Sequence, residues 1–227
     1  MCLRFDARLA AQPAEAFIQT LLHQALDVRF LMVGDDFRFG HKRRGDFAML
    51  AEAADQYGFE LSRMPTVQEG DSRVSSTRVR ETLAAGDLAT AERLLGRRLR
   101  ISGRIVRGQA LGRELGWPTA NMAFGKHPPP MRGIFNVLVH GLGDPVPGVA
   151  SLGTRPTVNG VETLLETYLI DFAGDLYGRH VEVEFIHRQR DEWDFEGLDA
   201  LKRQIAIDVA QARDWFDGFD ATNTTAG

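Results

Sequence analysis

The chain divides into two parts that differ in the spacing of their hydrophobic residues. Up to about residue 95, helical segments with one apolar face alternate with short apolar runs. "PAEAFIQTLLHQAL" (Pro13–Leu26) and "DFAMLAEAADQYG" (Asp46–Gly58) predict helices, the second with Asp46 as its N-cap and Gly58 as its stop. "VRFLMVG" (Val28–Gly34) and "FELSRM" predict strands. Alternating helices and strands indicate an α/β fold with a parallel sheet.

From about Leu99 onward, apolar and polar positions alternate. The runs that show this period are separated by Gly and Pro turns: "RISGRIVRG", "GIFNVLVHG", "PGVASLG", "ETLLETYLIDF" and "HVEVEFIHR". Such closely spaced strands predict an antiparallel barrel or sandwich. A final helix follows, with an apolar stripe made by Leu198, Leu201, Ile205 and Val209. We assign residues 1–97 to the first domain, 98–220 to the second, and 221–227 to a frayed tail.

Composition excludes several classes of protein. The 227 residues are 44% hydrophobic and 26% charged, as in a globular protein. A net charge of −4 provides no overall field for nucleic acid, so no nucleic-acid partner is expected. Cys2 is the single cysteine, and no apolar run approaches the roughly 20 residues that span a bilayer. These features predict a cytoplasmic protein without a membrane partner, and the histidine spacing predicts no zinc site.

The stretch "GQALGRELGWPTAN" (Gly108–Asn121) carries the strongest local signal. Its glycines permit a close approach of backbone to ligand, and the Arg113 guanidinium suits phosphate oxygens. Thr119 and Asn121 lie two positions apart, so both side chains project from one face of an extended segment. Their neutral oxygens suit Mg²⁺ held largely by substrate phosphates and water, while Pro118 stiffens the loop. A purely structural glycine-rich hairpin explains the same residue types equally well.

Charged and hydroxyl side chains elsewhere each leave two interpretations open. Glu166 lies within an apolar strand, either as a functional carboxylate or as an edge-strand residue that faces water. Ser76 or Thr77 is expected to cap a helix, whose N-terminus together with Arg80 makes an anion site or only a capped helix. Asp171 and Asp175 flank a predicted turn, and we interpret them as residues that stabilise it.

The glycine-rich loop resembles the nucleotide loop of the riboflavin kinases, whose pattern is G-x-A-x-G-R-x-L-G-x-P-T-A-N. The segments "RGIFNV", "GVASLGTRPTVNG", "LLETYLIDFAGDLYG" and "RDEWDFEGLDALKRQIAID" follow that family in order. The resemblance implies a six-stranded antiparallel barrel with a C-terminal helix. It also implies phosphorylation of the ribityl 5′-hydroxyl of riboflavin by ATP with Mg²⁺, which yields FMN.

The same resemblance assigns roles to individual residues. The residues assigned to ATP are Gly108, Ala110, Gly112, Arg113, Pro118, Thr119 and Asn121. Of these, Thr119 and Asn121 are assigned to the metal as well. Glu166 becomes the general base, since it holds the position of the family's catalytic glutamate. Arg190 and Asp191 are assigned to riboflavin, and Trp193 either stacks on the flavin or only packs.

The first domain resembles the second half of the FMN adenylyltransferase module of bacterial bifunctional FAD synthetases. "VGDDFRFGHKRRGD" and "SSTRVRETL" carry this resemblance, which implies a partial Rossmann-like nucleotidyltransferase domain. That family's "GxFDGxHxGH" phosphate loop does not occur in these residues, so we expect FMN to be formed but no FAD. Two alternatives are a full bifunctional FAD synthetase, if a preceding segment supplies that loop, and a flavin- or nucleotide-binding module without catalysis.

Overall fold

A computed structural model describes residues 3–108, 111–124, 128–157 and 160–219, without the side chains of residues 155–161. The chain forms two compact units, Met1–Arg73 and Val74–Gly227. The predicted tail at 221–227 lies outside the described residues. The two units are the N-terminal unit and the C-terminal unit below.

The N-terminal unit is built around a short parallel sheet. Its helices are α1 (Ala7–Ala10), α2 (Ala14–Ala16, continued as a π-helix over Phe17–Ala25), a 3₁₀ turn (His41–Arg43) and α3 (Phe47–Tyr57). Its strands are β1 (Phe30–Gly34), β2 (Glu60–Met64), β3 (Gln68–Glu69) and β4 (Ser72–Arg73). Strands β1 and β2 pair in parallel, as predicted. Asp46 caps α3 and Gly58 ends it in the left-handed conformation, which confirms both predictions.

The helix predicted over Pro13–Leu26 differs from the expectation, because most of it is a π-helix. Ala14, Ile18 and Leu22 are the residues buried along it, and they lie four positions apart. The wider turn of a π-helix keeps such a spacing on one face. Leu26, which ends the predicted helix, is exposed.

The C-terminal unit contains the barrel. Two helices come first, α4 (Ser76–Ala84) and α5 (Leu88–Leu95). The barrel strands are β5 (Arg100–Arg104), β6 (Thr119–Ala123), β7 (Gly133–His140), β8 (Val146–Thr157), β9 (Gly160–Leu169) and β10 (His180–Arg190). A short helix α6 (Leu111–Glu114) precedes β6, and a long helix α7 (Leu198–Asp217) follows β10.

The strands form one antiparallel six-stranded sheet in the order β5-β10-β7-β8-β9-β6. A bridge between Val106, just after β5, and Asn121 on β6 brings the two edges together. The sheet is thus a nearly closed barrel with a C-terminal helix, which confirms the predicted fold. Closure leaves few unpaired edge groups exposed.

Apolar residues that alternate along the strands fill the barrel. Phe135 and Phe185 meet edge to face there, with ring centroids 5.2 Å apart. Leu83 of α4 and Ala91 of α5 belong to the same buried cluster. Helices α4 and α5 therefore pack with the barrel, although the predicted domain boundary at residues 97–98 places them in the first domain.

Helix α7 covers the outer face of the barrel. Val209 and Ala212 are buried against Ile134, Val149 and Ile170 of the strands and the loop that follows them. The helix begins at Leu198, which is exposed, so the predicted stripe starts at Leu201 instead. This face of the barrel, under α7, carries the site described next.

Candidate active site

Glu166 lies on a central strand of the barrel. Strand β9 pairs with β8 on one side and with β6 on the other, so the edge-strand interpretation is wrong. Leu165 and Thr167 are buried toward the interior, while Glu166 faces outward and is half-buried. Its cross-strand partners are Asn121 on β6 and Ser151 on β8. Glu166 is therefore held at a fixed place by hydrogen-bonded neighbours on both sides.

Beside Glu166 lies a cavity of about 240 Å³, which we call the aromatic cavity. Four aromatic side chains line it, those of Trp117, Tyr168, Trp193 and Phe195. Trp117 and Tyr168 contact each other edge to face, with centroids 5.1 Å apart. Helix α7 adds apolar side chains, among them Ile205 and Val209. A flat apolar ligand fits this lining.

A second cavity of about 390 Å³ lies on the other side of Thr119, and we call it the basic cavity. Arg107 and Arg113 line it together with Pro118 and Tyr177. The Arg107 guanidinium lies 5.3 Å from the centroid of the Tyr177 ring. Thr119 lines both cavities. The structure thus places two arginines suited to phosphate next to the aromatic cavity.

Asn121 and Thr119 lie on the outer face of β6, as the alternation predicted. Ala120 and Met122 face the barrel core instead. Asn121 is buried and its Nδ2 donates to the carbonyl of Thr119 at 3.2 Å. Its Oδ1 accepts no hydrogen bond from any residue that the structure describes. A buried oxygen without a donor is suited to hold a cation or a water bound to one.

Two predicted glycines make this close packing possible. A Cβ on Gly108 would lie 2.7 Å from Asn121 Nδ2. A Cβ on Gly112 would lie 2.5 Å from the Trp117 carbonyl and 3.1 Å from Thr119 Oγ1. Both positions therefore require glycine for steric reasons. Ala110, also predicted at this site, lies outside the described residues.

Arg190 forms the floor of the aromatic cavity, where it makes a buried ion pair. Its Nε and NH2 donate to the two carboxylate oxygens of Asp208 on α7, at 2.9 and 2.6 Å. Its guanidinium lies 4.6 Å from the ring centroid of Trp193. Gln204 Nε2 also donates to Asp208, at 2.8 Å. Because these bonds fix the guanidinium plane, they fix the ring that lies on it.

Asp208 contributes to this site, although the sequence pattern does not single it out. It flanks the apolar stripe of α7 and only 3% of it is exposed. The signal in the sequence is the position of this acidic residue next to a predicted buried stripe. A carboxylate buried there requires a hydrogen-bonded or charged partner. Its partner comes from β10, however, and the sequence does not show which cation that is.

Asp191 lies outside the aromatic cavity, unlike its neighbour Arg190. It is exposed and accepts a hydrogen bond from Arg188 NH2, and it does not line the aromatic cavity. The next residue, Glu192, does line the cavity, and its carboxylate is packed against Gly153, where no Cβ fits. Partial burial there raises the pKa of Glu192, against the lowering effect of nearby Arg132. Glu192 has no role in the prediction from the sequence.

The predicted anion site at α4 needs one correction. Ser75, and not Ser76 or Thr77, is the N-cap, and its Oγ accepts from the backbone N–H of Arg78 at 3.2 Å. Ser76 is the first helical residue, because the extended backbone that a cap requires falls at Ser75. Ser76, Thr77 and Arg80 are all exposed.

Comparison with known proteins places this geometry in a family. The family model described as Flavokinase: Riboflavin kinase matches residues 95–216, which are more than half of the chain and include every barrel strand and all but the last residue of α7. The model described as FAD synthetase matches residues 1–78. The barrel, its two cavities and α7 are thus the riboflavin kinase part of the match.

Relatives that match nearly the whole chain agree with both models. The bifunctional riboflavin kinase/FMN adenylyltransferase of Escherichia coli (strain K12) is 51% identical over 217 residues, which cover 95% of this chain and 69% of the relative. The protein of the same name from Haemophilus influenzae is 45% identical over 215 residues, 94% of this chain and 70% of the relative. The chain belongs to the bifunctional riboflavin kinase/FMN adenylyltransferase family.

A solved structure shares the fold over most of the chain. It is the crystal structure of a macrolide-efflux protein from Streptococcus pneumoniae, with 31% identity and a TM-score of 0.74. The match covers 94% of this chain and 69% of that one. Among the helices of the described residues, none has the length and apolar character needed to cross a membrane.

Proposed function

We propose that this protein phosphorylates the 5′-hydroxyl of riboflavin with ATP, as a riboflavin kinase. The observation that carries the proposal is the junction of the two cavities. Thr119 lines both of them, and Glu166 lies in the aromatic cavity, one strand from Asn121. A flavin ring and a nucleoside triphosphate need such adjoining sites, one apolar and flat, the other basic.

The aromatic cavity is the proposed riboflavin site. Trp117, Tyr168, Trp193 and Phe195 offer apolar ring surfaces to the isoalloxazine, and Ile205 and Val209 add aliphatic contact. Arg190 acts there through the ring of Trp193 and through its ion pair with Asp208. This arrangement supports the prediction that Arg190 serves riboflavin binding.

The basic cavity is the proposed ATP site. Arg113 and Arg107 are placed to neutralise phosphate oxygens, and Pro118 forms part of the wall. Gly108 and Gly112 serve the site by letting the loop approach Asn121 and Thr119. Gly112 also lines the aromatic cavity, which supports a role for this loop at both proposed substrate sites.

Glu166 is the proposed general base. Phosphoryl transfer needs a group that orients the hydroxyl and accepts its proton as the bond to phosphorus forms. The Glu166 carboxylate lies in the cavity wall between Ser151 and Asn121, so a ribityl hydroxyl presented from the aromatic cavity reaches it.

Thr119 and Asn121 fit the Mg²⁺ that the family resemblance implies. The buried Oδ1 of Asn121 is without a hydrogen-bond donor among the described residues, and Thr119 Oγ1 is packed against the Gly112 turn. The ion, when bound, neutralises charge on the triphosphate. Across the described ranges no group of three His, Cys, Asp or Glu side chains is placed to hold a metal ion. The Asn121 and Thr119 oxygens are of the neutral kind that suits Mg²⁺ held largely by substrate phosphates and water.

A direct assay tests the proposal. The protein is incubated with riboflavin, ATP and Mg²⁺, and FMN is separated from riboflavin by chromatography. FMN formation that depends on both ATP and protein supports a riboflavin kinase. Riboflavin binding without turnover would instead support the non-catalytic module.

A second activity follows from the match of residues 1–78 to the FAD synthetase model. Adenylylation of FMN is therefore the second candidate, with Ser76, Thr77 and Arg80 as the proposed anion-binding residues at the start of α4. In the same assay, FAD formed from FMN and ATP supports it.

A further inference from the structure

The turn between α4 and α5 lies against strand β10 of the barrel, where Gly86 meets the Arg188 side chain. Gly86 lies in this turn with a φ of +75°, and its N–H donates to the Leu83 carbonyl at 2.9 Å. A Cβ on Gly86 would lie 2.5 Å from both Cδ and Nε of Arg188 on β10. The Arg188 side chain therefore crosses directly over the glycine, and any larger residue there must displace it.

The guanidinium of Arg188 contacts the segment that follows β10. Its NH2 donates to Asp191, the first residue after the strand. Glu192 and Trp193 come next, and both line the aromatic cavity. Asp191 thus links Arg188 to the wall of the proposed riboflavin site.

Strand β10 is irregular at this point. Its register against β7 shifts between Arg188 and Arg190, which pair with Phe135 and Ile134. Such a bulge re-aims the side chains on either side of it. It sends Arg190 to Asp208 and Trp193, while Arg188 extends to Gly86 and Asp191. The two arginines hold the same segment from two directions.

We propose that Arg188 is a positioning residue, which couples the α4–α5 turn to the cavity wall and so sets the affinity for riboflavin. This inference rests on the proposed function, because it assigns riboflavin to the aromatic cavity. Helices α4 and α5 then serve the kinase site, although they precede the residues that the riboflavin kinase model matches. Arg188 itself touches no substrate in this proposal.

The test compares two glycines with the same backbone conformation. Gly86→Ala places a methyl group against Arg188. Gly96→Ala is the matched control, since Gly96 ends α5 with a φ of +67° and a Cβ there has no neighbour within 4 Å. Both variants carry the strain of a left-handed alanine, and only the first displaces Arg188.

Riboflavin Kd is measured without ATP, by quenching of flavin fluorescence, and the KM values for riboflavin and ATP are measured separately. We expect Gly86→Ala to raise the Kd and KM for riboflavin by about tenfold, with a smaller change in the KM for ATP. Gly96→Ala is expected to lower the melting temperature as much while it leaves both riboflavin constants unchanged. In an Arg188→Ala background, Gly86→Ala is expected to have no further effect on riboflavin binding.

Equal riboflavin constants for the two glycine variants would overturn the coupling. An effect of Gly86→Ala that persists without the Arg188 side chain would overturn it as well. Because riboflavin Kd is read without turnover, these outcomes are separate from the proposed function. A wild-type protein that binds riboflavin and forms no FMN would contradict the kinase alone.

Discussion

Glu166 and Asn121 are direct cross-strand partners on β9 and β6. Continued across the sheet, the same row contains Ser151 on β8, Ile134 on β7 and Arg190 on β10. One line of the barrel surface thus carries the proposed metal ligand, the proposed base and the arginine of the riboflavin site. Their spacing is fixed by backbone hydrogen bonds, so it does not depend on the conformation of a loop.

Replacing Glu166 by Gln should remove the proton acceptor while its volume is kept. We expect kcat for FMN formation to fall by about 10²- to 10⁴-fold, the usual contribution of a general base. Riboflavin and ATP affinities, measured by calorimetry, should change little. Turnover close to that of the wild type would rule out Glu166 as the base.

Removing a side-chain oxygen that faces the proposed metal should weaken nucleotide binding. Asn121→Ala and Thr119→Ala are each expected to weaken ATP binding in the presence of Mg²⁺ by roughly 10- to 100-fold, and to affect riboflavin binding less. Ser102→Ala is the control, because Ser102 is a β5 hydroxyl whose partner is Glu182, away from both cavities. Unchanged Mg²⁺-dependent affinity in both variants would mean that the loop is structural.

Asp208 should matter for stability as well as for riboflavin. Its side chain and that of Arg190 are 4% and 12% exposed, so Asp208→Ala leaves a buried guanidinium unpaired. The expected loss in the free energy of unfolding is about 3–5 kcal/mol, and it is measured by urea denaturation.

Two further variants separate packing from charge. Arg213 lies on the same helix as Asp208, and Arg213→Ala removes its exposed ion pair with Asp171, so this variant should cost far less stability. Asp208→Asn keeps the shape and should raise the riboflavin KM more than the ATP KM, because the Arg190 guanidinium is held less firmly. An Asp208→Ala protein as stable as Arg213→Ala would contradict the importance of the buried pair.

We expect His187 to make the stability of the folded protein depend on pH. Its ring stacks on Trp215 with centroids 5.4 Å apart, and partial burial lowers its pKa. A lowered pKa in the folded state means that the unfolded chain takes up the proton first. The stability is thus fully present above the ordinary histidine value of about 6.5 and is lost as the pH falls below it.

We therefore expect the melting temperature of His187→Phe to rise relative to that of the wild type as the pH is lowered from neutrality. An NMR titration of the His187 ring checks the cause directly. Its midpoint should lie below the ordinary value in the wild type and move upward in Trp215→Ala. A wild-type midpoint at or above the ordinary value would contradict this assignment.

The sequence alone predicted the elements whose signals are local. Alternation put Thr119 and Asn121 on one face, and the left-handed Gly58 ended α3 as expected. The pairing of Arg190 with Asp208 was not predictable, because it joins a strand to a helix 18 residues away. The packing of Gly86 under Arg188 likewise depends on tertiary structure. The cap at Ser75 was missed because three neighbouring hydroxyl residues offer the same chemistry.

Chromatography of the products formed from riboflavin, ATP and Mg²⁺ by the wild-type protein tests the riboflavin kinase assignment most simply. We expect FMN in amounts that grow with time and with protein, together with its near absence in Glu166→Gln. The same chromatogram reports FAD, whose formation from FMN and ATP would support the adenylyltransferase candidate. If protein that binds both riboflavin and ATP forms no FMN above a control without protein, it is not a riboflavin kinase.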